Sequence, residues 1–161
     1  MVEKKKTPVK KSGVIRVRAA GILLNSKNEA LLVNHQKKGK SYWLFPGGGV
    51  EYGEKIFSAL KREFKEEVSA GINKIHNMCF AHETIYPGRE RHIINFYFRV
   101  SVKKPFKPRV KEEKVLKGAE WINVRKFRKI LFYPGAKNVI INLWKNEFKD
   151  NKGFIDVKWK K

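Results

Sequence analysis

Alternating apolar and polar positions mark the first predicted strand of the chain. In residues 14–24, VIRVRAAGILL, Ile15 and Val17 alternate with Arg16 and Arg18 before the segment becomes continuously apolar. Alternation with a period of two is typical of a strand with one exposed face, and a continuous apolar run is typical of a strand buried on both faces. The segment therefore predicts a strand that runs into the protein core.

The same periodicities divide the rest of the chain into strands, helices and one glycine-rich loop. Further strands are predicted over residues 30–36, 72–86, 91–102, 118–124 and 153–159, with 72–86 and 91–102 paired as a long hairpin. Residues 43–54, WLFPGGGVEYGE, are dense in glycine and proline and predict a loop. Helices are predicted over residues 54–69, 124–132 and 136–148. This order predicts an α/β fold in which a mixed central sheet lies between helices, an α/β/α layering.

The helix predicted over residues 54–69 separates apolar from acidic positions. At about 100° per residue, one apolar stripe contains Ile56, Phe57, Leu60, Phe64 and Val68. Glu63, Glu66 and Glu67 fall together on one arc, because spacings of three and four residues bring side chains onto the same helix face. Like charges stacked in this way repel, whereas an ordinary solvated helix face interleaves charges of opposite sign.

A divalent cation would remove this repulsion. Five of the 15 acidic residues of the chain lie between residues 51 and 67, although the formal net charge is +22. Carboxylate oxygens on one rigid face suit Mg²⁺ or Mn²⁺, and the preceding PGGGVEYGE segment allows backbone carbonyls to approach a ligand closely. The sequence therefore predicts a metal site, with the adjacent Arg62 orienting one of the carboxylates.

These residues resemble the Nudix box. Gly48 is followed after five residues by Glu54, and after seven more by REFKEE, residues 62–67. Spacing, charged positions and the apolar position at Phe64 all match that motif. The departure is at its end, where Ser69 and Ala70 occupy the places of a glycine and an aliphatic residue.

The resemblance implies a fold and an enzymatic reaction. It implies an α/β/α sandwich with the box as a loop–helix–loop, and metal-dependent hydrolysis of a nucleoside diphosphate linked to a further group X. Mg²⁺, or Mn²⁺, would be held by Glu63, Glu66 and Glu67 together with the carbonyl of Gly47.

The resemblance also implies roles for the remaining charged residues. Arg62, with Glu54, would orient the carboxylates, and the general base would be one of the three box glutamates or a later loop glutamate, Glu112 or Glu113. For Glu112 and Glu113 a solvated lysine-rich loop is the competing interpretation.

Several residues outside the acidic helix are candidates for contacting substrate. Gly48 lies at the predicted site, and Arg16 and Arg18 either reach substrate phosphate or cover an exposed strand face. Three aromatic residues either stack on a base or pack in the core: Trp43, Phe96 and Tyr97.

Composition limits the class of protein and its partners. We expect a basic tail over residues 1–12 and one domain over residues 13–161, in a monomer or homodimer. A cytoplasmic location is expected because Cys79 is the only cysteine and no segment is typical of a signal peptide or membrane span. The positive charge favours polyanionic partners, or reflects a lysine-rich source organism.

Three functions remain open. The first is hydrolysis of a small nucleotide, such as a (deoxy)nucleoside triphosphate of the 8-oxo-dGTP type or ADP-ribose. The second is pyrophosphohydrolysis of RNA 5′ ends or of dinucleoside polyphosphates, which the charge favours. The third, a binding module without catalysis, is disfavoured because a binder does not need every metal position to be acidic.

Overall fold

The computed structural model describes residues 13–88, 91–110 and 115–157, so the predicted tail over residues 1–12 lies outside the described part. The strands are β1 (Ile15–Leu23), β2 (Ala30–Lys37), β3 (Lys40–Leu44), β4 (Gly47–Gly49), β5 (Ile72–Ile85), β6 (His92–Val102), β7 (Leu116–Ile122) and β8 (Phe154–Ile155). The helices are α1 (Ile56–Val68), α2 (Val124–Lys129) and α3 (Lys137–Lys145).

Two sheets carry these strands. The larger has the order β4-β1-β6-β5-β8, and the smaller has the order β3-β2-β7. The predicted hairpin is confirmed, since β5 and β6 pair antiparallel from Ile85–His92 to Ile72–Val102. Strand β1 pairs parallel with β6 and antiparallel with β4, which makes the larger sheet mixed, as predicted.

The core lies in two layers on opposite sides of the strands. Neighbouring residues of β1 face opposite ways, so Ala19 packs with Leu60 and Phe64 of α1, whereas Ala20 packs with the layer that contains α2 and α3. Burying a large apolar side chain such as that of Leu60 or Phe64 stabilises the fold by about 1.5–3 kcal/mol, because apolar surface is removed from water. The predicted α/β/α layering is confirmed.

The predicted loop over residues 43–54 is partly wrong. Trp43 and Leu44 belong to β3, and the three glycines form β4, which pairs with Arg18–Ala20 of β1. At Gly47, φ is +141°, and a Cβ would lie 2.2 Å from the carbonyl oxygen of Ala19. Glycine therefore serves here to bring two backbones together rather than to make a turn.

The helices are shorter than predicted at their ends. Helix α1 begins at Ile56 rather than at residue 54, and Leu131 lies beyond α2 because its carbonyl accepts the Trp43 N–H of β3. Helix α3 spans Lys137–Lys145 of the predicted 136–148, and the closing strand is limited to Phe154–Ile155 within the described residues. Propensity does not register the tertiary hydrogen bond of Leu131, so it extended α2 too far.

Cys79 is fully buried in the core and packs as a small apolar residue. Within the described residues, no helix is both long and apolar enough to cross a bilayer.

Ser69, where the chain departs from the box, ends α1 in a left-handed conformation with φ 56° and donates its N–H to the Lys65 carbonyl. Glycine adopts this conformation without steric strain. We therefore expect Ser69→Gly to raise the free energy of unfolding by about 0.5–1 kcal/mol, measured by urea denaturation. Lys61→Gly, at an exposed position inside the same helix, is the matched control and should lower it by about 1 kcal/mol. A loss of stability in Ser69→Gly would contradict this account of the helix end.

Candidate active site

The acidic residues are positioned by the amphipathic packing of α1. Leu60, Phe64 and Val68 are fully buried, which fixes the rotation of the helix about its axis. With that rotation fixed, Glu63 and Glu67 lie at the border of the buried face and reach the backbone of β4, while Glu66 is more exposed, at 60% of its side-chain surface. Burial of the apolar stripe thus points the carboxylates of Glu63 and Glu67 toward β4, which we call the glycine strand (Gly47–Gly49).

Arg62 is the centre of the cluster. Its Nε and Nη2 donate to the two carboxylate oxygens of Glu54 at 3.0 and 2.9 Å, and Nη1 donates to Glu63 Oε1 at 2.7 Å. Nη2 also donates to the Gly49 carbonyl at 3.1 Å, and Glu66 lies 3.5 Å from Nη1. The hydrogen bonds from Arg62 lower the pKa of Glu54, and those to Glu54 and Glu63 raise the pKa of Arg62. The structure brings together Arg62, Glu54, Glu63 and Glu66, as the sequence predicted.

Gly48 leaves the space that Glu63 occupies. A Cβ at Gly48 would lie 2.2 Å from the carboxylate carbon and from one carboxylate oxygen of Glu63. Such a distance is incompatible with van der Waals contact, so any larger residue at position 48 displaces the carboxylate. Gly48 therefore belongs to the site as a spatial requirement of the acidic cluster.

The glycine strand also binds Glu67 through a backbone hydrogen bond. The N–H of Gly47 donates to Glu67 Oε2 at 2.7 Å, while Oε1 lies 3.9 Å from Nε2 of His35 on β2. Only 16% of the Glu67 side-chain surface is exposed. One carboxylate oxygen is thus fixed by the backbone and the other faces the histidine.

The oxygen donors of this cluster fit a divalent cation by their chemistry. Three carboxylates, those of Glu54, Glu63 and Glu66, lie around the single guanidinium of Arg62, and the carboxylate of Glu67 accepts the N–H of Gly47. The acidic side chains of this group therefore outnumber the arginine that contacts them. Carboxylate and carbonyl oxygens are the ligands that Mg²⁺ and Mn²⁺ prefer.

The carboxylates of these glutamates do not converge on one point. Among the described residues, no three His, Cys, Asp or Glu side chains are close enough together to hold one ion. The reason is that Glu63 is turned to Arg62 and Glu67 to the Gly47 N–H. Metal ligation by Glu63, Glu66, Glu67 and Gly47 therefore stays a prediction.

Arg18 contacts the protein backbone. Its Nη2 donates to the carbonyls of Phe45 and Gly47, at 2.9 and 2.7 Å. Arg18 therefore braces the strand that carries the site, a role that the sequence interpretation of a phosphate contact or an exposed face did not include. Arg16 is exposed, and Glu112 and Glu113 lie outside the described residues.

Of the aromatic residues proposed for base stacking, Tyr97 is in the core. It is 2% exposed, stacks on Phe80 with ring centroids 4.3 Å apart, and has its hydroxyl 3.3 Å from Nε2 of the buried His82. Burial raises the pKa of Tyr97 to about 12. Trp43 and Phe96 are partly buried and pack against the two core layers. The alternative of core packing is thus confirmed for Tyr97.

His35, which the sequence did not mark as a candidate, borders the acidic cluster next to Glu67. His35 stacks on Tyr42 of β3 with ring centroids 5.6 Å apart, and Tyr42 in turn meets the ring of Tyr133 edge-on at 5.4 Å. Burial, and secondarily the positive charge of Arg18, lower the pKa of His35 to about 4. No local motif marks His35, and Tyr42 would have been noticed only if β3 had been predicted.

The comparison with protein families agrees with this geometry. The NUDIX domain model matches residues 14–143. A solved structure of a MutT NUDIX hydrolase from Burkholderia pseudomallei superposes with a TM-score of 0.67 and 18% sequence identity, covering 80% of this chain and 97% of that one. At this identity the superposition supports the fold alone.

Two curated relatives are more similar in sequence. An 8-oxo-dGTP diphosphatase from Buchnera aphidicola subsp. Acyrthosiphon pisum is 40% identical over 86 residues, 53% of this chain and 64% of the relative. An RNA pyrophosphohydrolase from Wolbachia pipientis wMel is 35% identical over 66 residues, 41% of this chain and 40% of the relative. The matched segment covers less than two thirds of the length of either relative.

Proposed function

The chain belongs to the Nudix family, and from this premise we propose that it hydrolyses a pyrophosphate bond in a nucleoside diphosphate linked to a further group X, with Mg²⁺ or Mn²⁺ as cofactor. The observation that carries the proposal is the arrangement of Glu54, Glu63 and Glu66 around Arg62, beside Glu67 on the Gly47 N–H. An interaction module has no evident need for such a concentration of negative charge next to an anionic ligand. A cation-dependent hydrolase does need it.

Glu63, Glu66 and Glu67, together with the Gly47 carbonyl, would hold the metal ion. When bound, the ion supplies neutralisation of the diphosphate charge and a lower pKa for an attacking water. Arg62 keeps Glu54 and Glu63 in place beside the glycine strand, and Arg18 fixes the Gly47 carbonyl at 2.7 Å. These contacts keep the oxygen donors close to β4.

The residue that accepts the proton of the attacking water would be one of the three box glutamates, or Glu112 or Glu113, which precede β7 in the sequence. Glu66 is the most exposed of the box glutamates, so its carboxylate is the most accessible to solvent. Glu63 and Glu67 accept hydrogen bonds of 2.7 Å from protein groups, whereas Glu66 lies at the longer distance of 3.5 Å from Arg62 Nη1. This difference favours Glu66 among the box residues.

A small nucleotide is the first candidate substrate. The relative named 8-oxo-dGTP diphosphatase is the more similar of the two curated relatives described above, which favours a (deoxy)nucleoside triphosphate of that type over ADP-ribose. The 5′ end of RNA or a dinucleoside polyphosphate is the second candidate. A net charge of +22 and the relative named RNA pyrophosphohydrolase support the RNA alternative. Cytoplasmic location and a monomeric or homodimeric state stay predictions from the sequence.

A substrate panel with Mg²⁺ tests this proposal. Purified protein is incubated with 8-oxo-dGTP, dGTP, ADP-ribose, a dinucleoside polyphosphate and a 5′-triphosphorylated RNA, and the released mononucleotide, pyrophosphate and phosphate are separated by chromatography. We expect hydrolysis of at least one compound that stops when EDTA is added. A panel with no Mg²⁺-dependent cleavage would refute the proposed activity. Preference for RNA over free nucleotides, with a steep loss at higher salt, would select the second substrate class.

A further inference from the structure

His35 carries a buried nitrogen atom that the fold leaves without a hydrogen bond. Its Nε2 has essentially no solvent-accessible surface and meets no hydrogen-bond partner among the described residues. An unpaired buried polar group of this kind typically destabilises a folded protein, because it has lost its hydrogen bonds to water. Such groups are rare in folded proteins, and one beside a cluster of acidic side chains indicates a role in that site.

The polar group facing this nitrogen is the carboxylate of Glu67. Glu67 Oε1 lies 3.9 Å from His35 Nε2, whereas Oε2 accepts the N–H of Gly47 at 2.7 Å. The distance of 3.9 Å exceeds a hydrogen bond by about 1 Å. A modest turn of the carboxylate about its Gly47 hydrogen bond is therefore enough to bring Oε1 to the histidine.

The ring of His35 is held in a fixed orientation. It stacks on Tyr42 with an interplanar angle of 25°, and Tyr42 is itself held edge-on by Tyr133. The positive charge of Arg18 helps to lower the pKa of His35. The Arg18 side chain has only hydrogen-bond donors, so it cannot accept a hydrogen bond from Nε2. The Glu67 carboxylate is an acceptor, and it pairs with an imidazole that carries its proton on Nε2.

We propose that His35 is a positioning residue for Glu67, donating Nε2–H to Oε1 so that the carboxylate is held from both sides when the site binds its cation. The inference rests on the proposed function only in taking Glu67 as a metal ligand. Outer residues that orient a ligating carboxylate typically change metal affinity or activity about 10–100-fold when they are removed.

Two substitutions of His35 separate the hydrogen bond from the ring packing. His35→Phe keeps an aromatic ring on Tyr42 but has no donor, and His35→Gln restores a donor. We expect His35→Phe to lower kcat and the Mg²⁺ affinity measured by calorimetry about 10-fold each, and His35→Gln to recover both to within about threefold. KM for the nucleotide at saturating Mg²⁺ should change little. His76→Phe, at an exposed strand position beside Ser101, is the matched control and should leave all three values unchanged.

A double-mutant cycle identifies the partner of His35. In Glu67→Gln protein, the change His35→Phe should produce no further loss of calorimetric Mg²⁺ affinity, because the carboxylate that His35 orients is gone. An equal loss in both backgrounds would overturn the proposal, since His35 would then act elsewhere. A higher KM with unchanged kcat and Mg²⁺ affinity would overturn it too, since it indicates a direct substrate contact.

The readouts keep this inference apart from the proposed function. Calorimetry reports on the pair of His35 and Glu67 without turnover, so absence of hydrolysis in the wild-type protein would refute the activity and leave the pair to be judged by Mg²⁺ affinity. Melting temperatures confirm that each variant folds. Should His35→Phe melt early, His35→Asn, whose amide is too short to reach Glu67, takes its place and should lose Mg²⁺ affinity to a similar extent.

Discussion

Glu66→Gln and Glu67→Gln should each lower kcat for Mg²⁺-dependent pyrophosphate hydrolysis by roughly 10²–10³-fold. Each change removes one negative charge from a group that must attract a cation, while the side chain keeps its length and shape. Stability should hardly change, because Glu66 is largely exposed and a glutamine at 67 retains a carbonyl oxygen for the Gly47 N–H. Steady-state kinetics on the best substrate of the panel and calorimetric titration with Mg²⁺ measure both consequences.

Glu51→Gln is the matched control for these two variants. Glu51 is exposed in the segment between β4 and α1, and its backbone N–H, rather than its side chain, donates a hydrogen bond to Glu54. It should therefore keep wild-type kcat and Mg²⁺ affinity. Turnover at the wild-type rate in both Glu66→Gln and Glu67→Gln would show that these carboxylates do not hold the catalytic ion.

Alanine substitutions at the three consecutive glycines of β4 should have three different outcomes. Gly47→Ala should lower the free energy of unfolding by about 3 kcal/mol or more. The new Cβ would lie 2.2 Å from the Ala19 carbonyl oxygen and 2.6 Å from the Ala20 Cα, both in the backbone of β1, and φ at this position is +141°. Neither strand can move away without breaking the pairing of β1 with β4. Urea denaturation and thermal melting measure the loss.

Gly48→Ala should leave the fold largely intact and impair catalysis. Its Cβ would meet the end of the Glu63 side chain, which can rotate away, so the expected loss is roughly 10²-fold in kcat with a small change in melting temperature. Gly49→Ala meets no atom within 4 Å and is the control for both. Equal behaviour of the three variants would contradict the close approach of β4 to β1 and to Glu63.

Periodicity in the sequence was sufficient to place the acidic helix, whereas the family was indicated by the resemblance of Gly48, Glu54 and residues 62–67 to a known motif. The apolar stripe of Leu60, Phe64 and Val68 repeats every three or four residues, and each of the three is fully buried in α1. That repeat also fixed which way Glu63 and Glu67 point. Amphipathic periodicity is a local property of the chain, so it can be read without knowing what the helix packs against.

The glycine strand was not predicted, because nothing in its local sequence marks it as a strand. Gly47, Gly48 and Gly49 have no side chains to produce an alternating pattern, so propensity assigns them to a loop. They form a strand because they pair with Arg18–Ala20, which are 29 residues earlier in the chain, and at Gly47 only glycine can approach that backbone so closely. This requirement exists only in the folded state. Strand β3 is different, because it forms a local hairpin with β2, and only its hydrogen bond to the Leu131 carbonyl joins segments that are distant in sequence.

The sequence by itself determined the chemistry of this protein, because the spacing of Glu54, Arg62, Glu63, Glu66 and Glu67 already places four carboxylates and a guanidinium near one helix. Tertiary structure alone decided how that chemistry is arranged. It turned Arg18 toward the Gly47 carbonyl and brought His35 from another sheet to within 3.9 Å of Glu67. The physical reason is that spacing along a helix controls which side chains share a face, whereas contacts between distant segments follow from burial of the apolar layers on either side of the sheets.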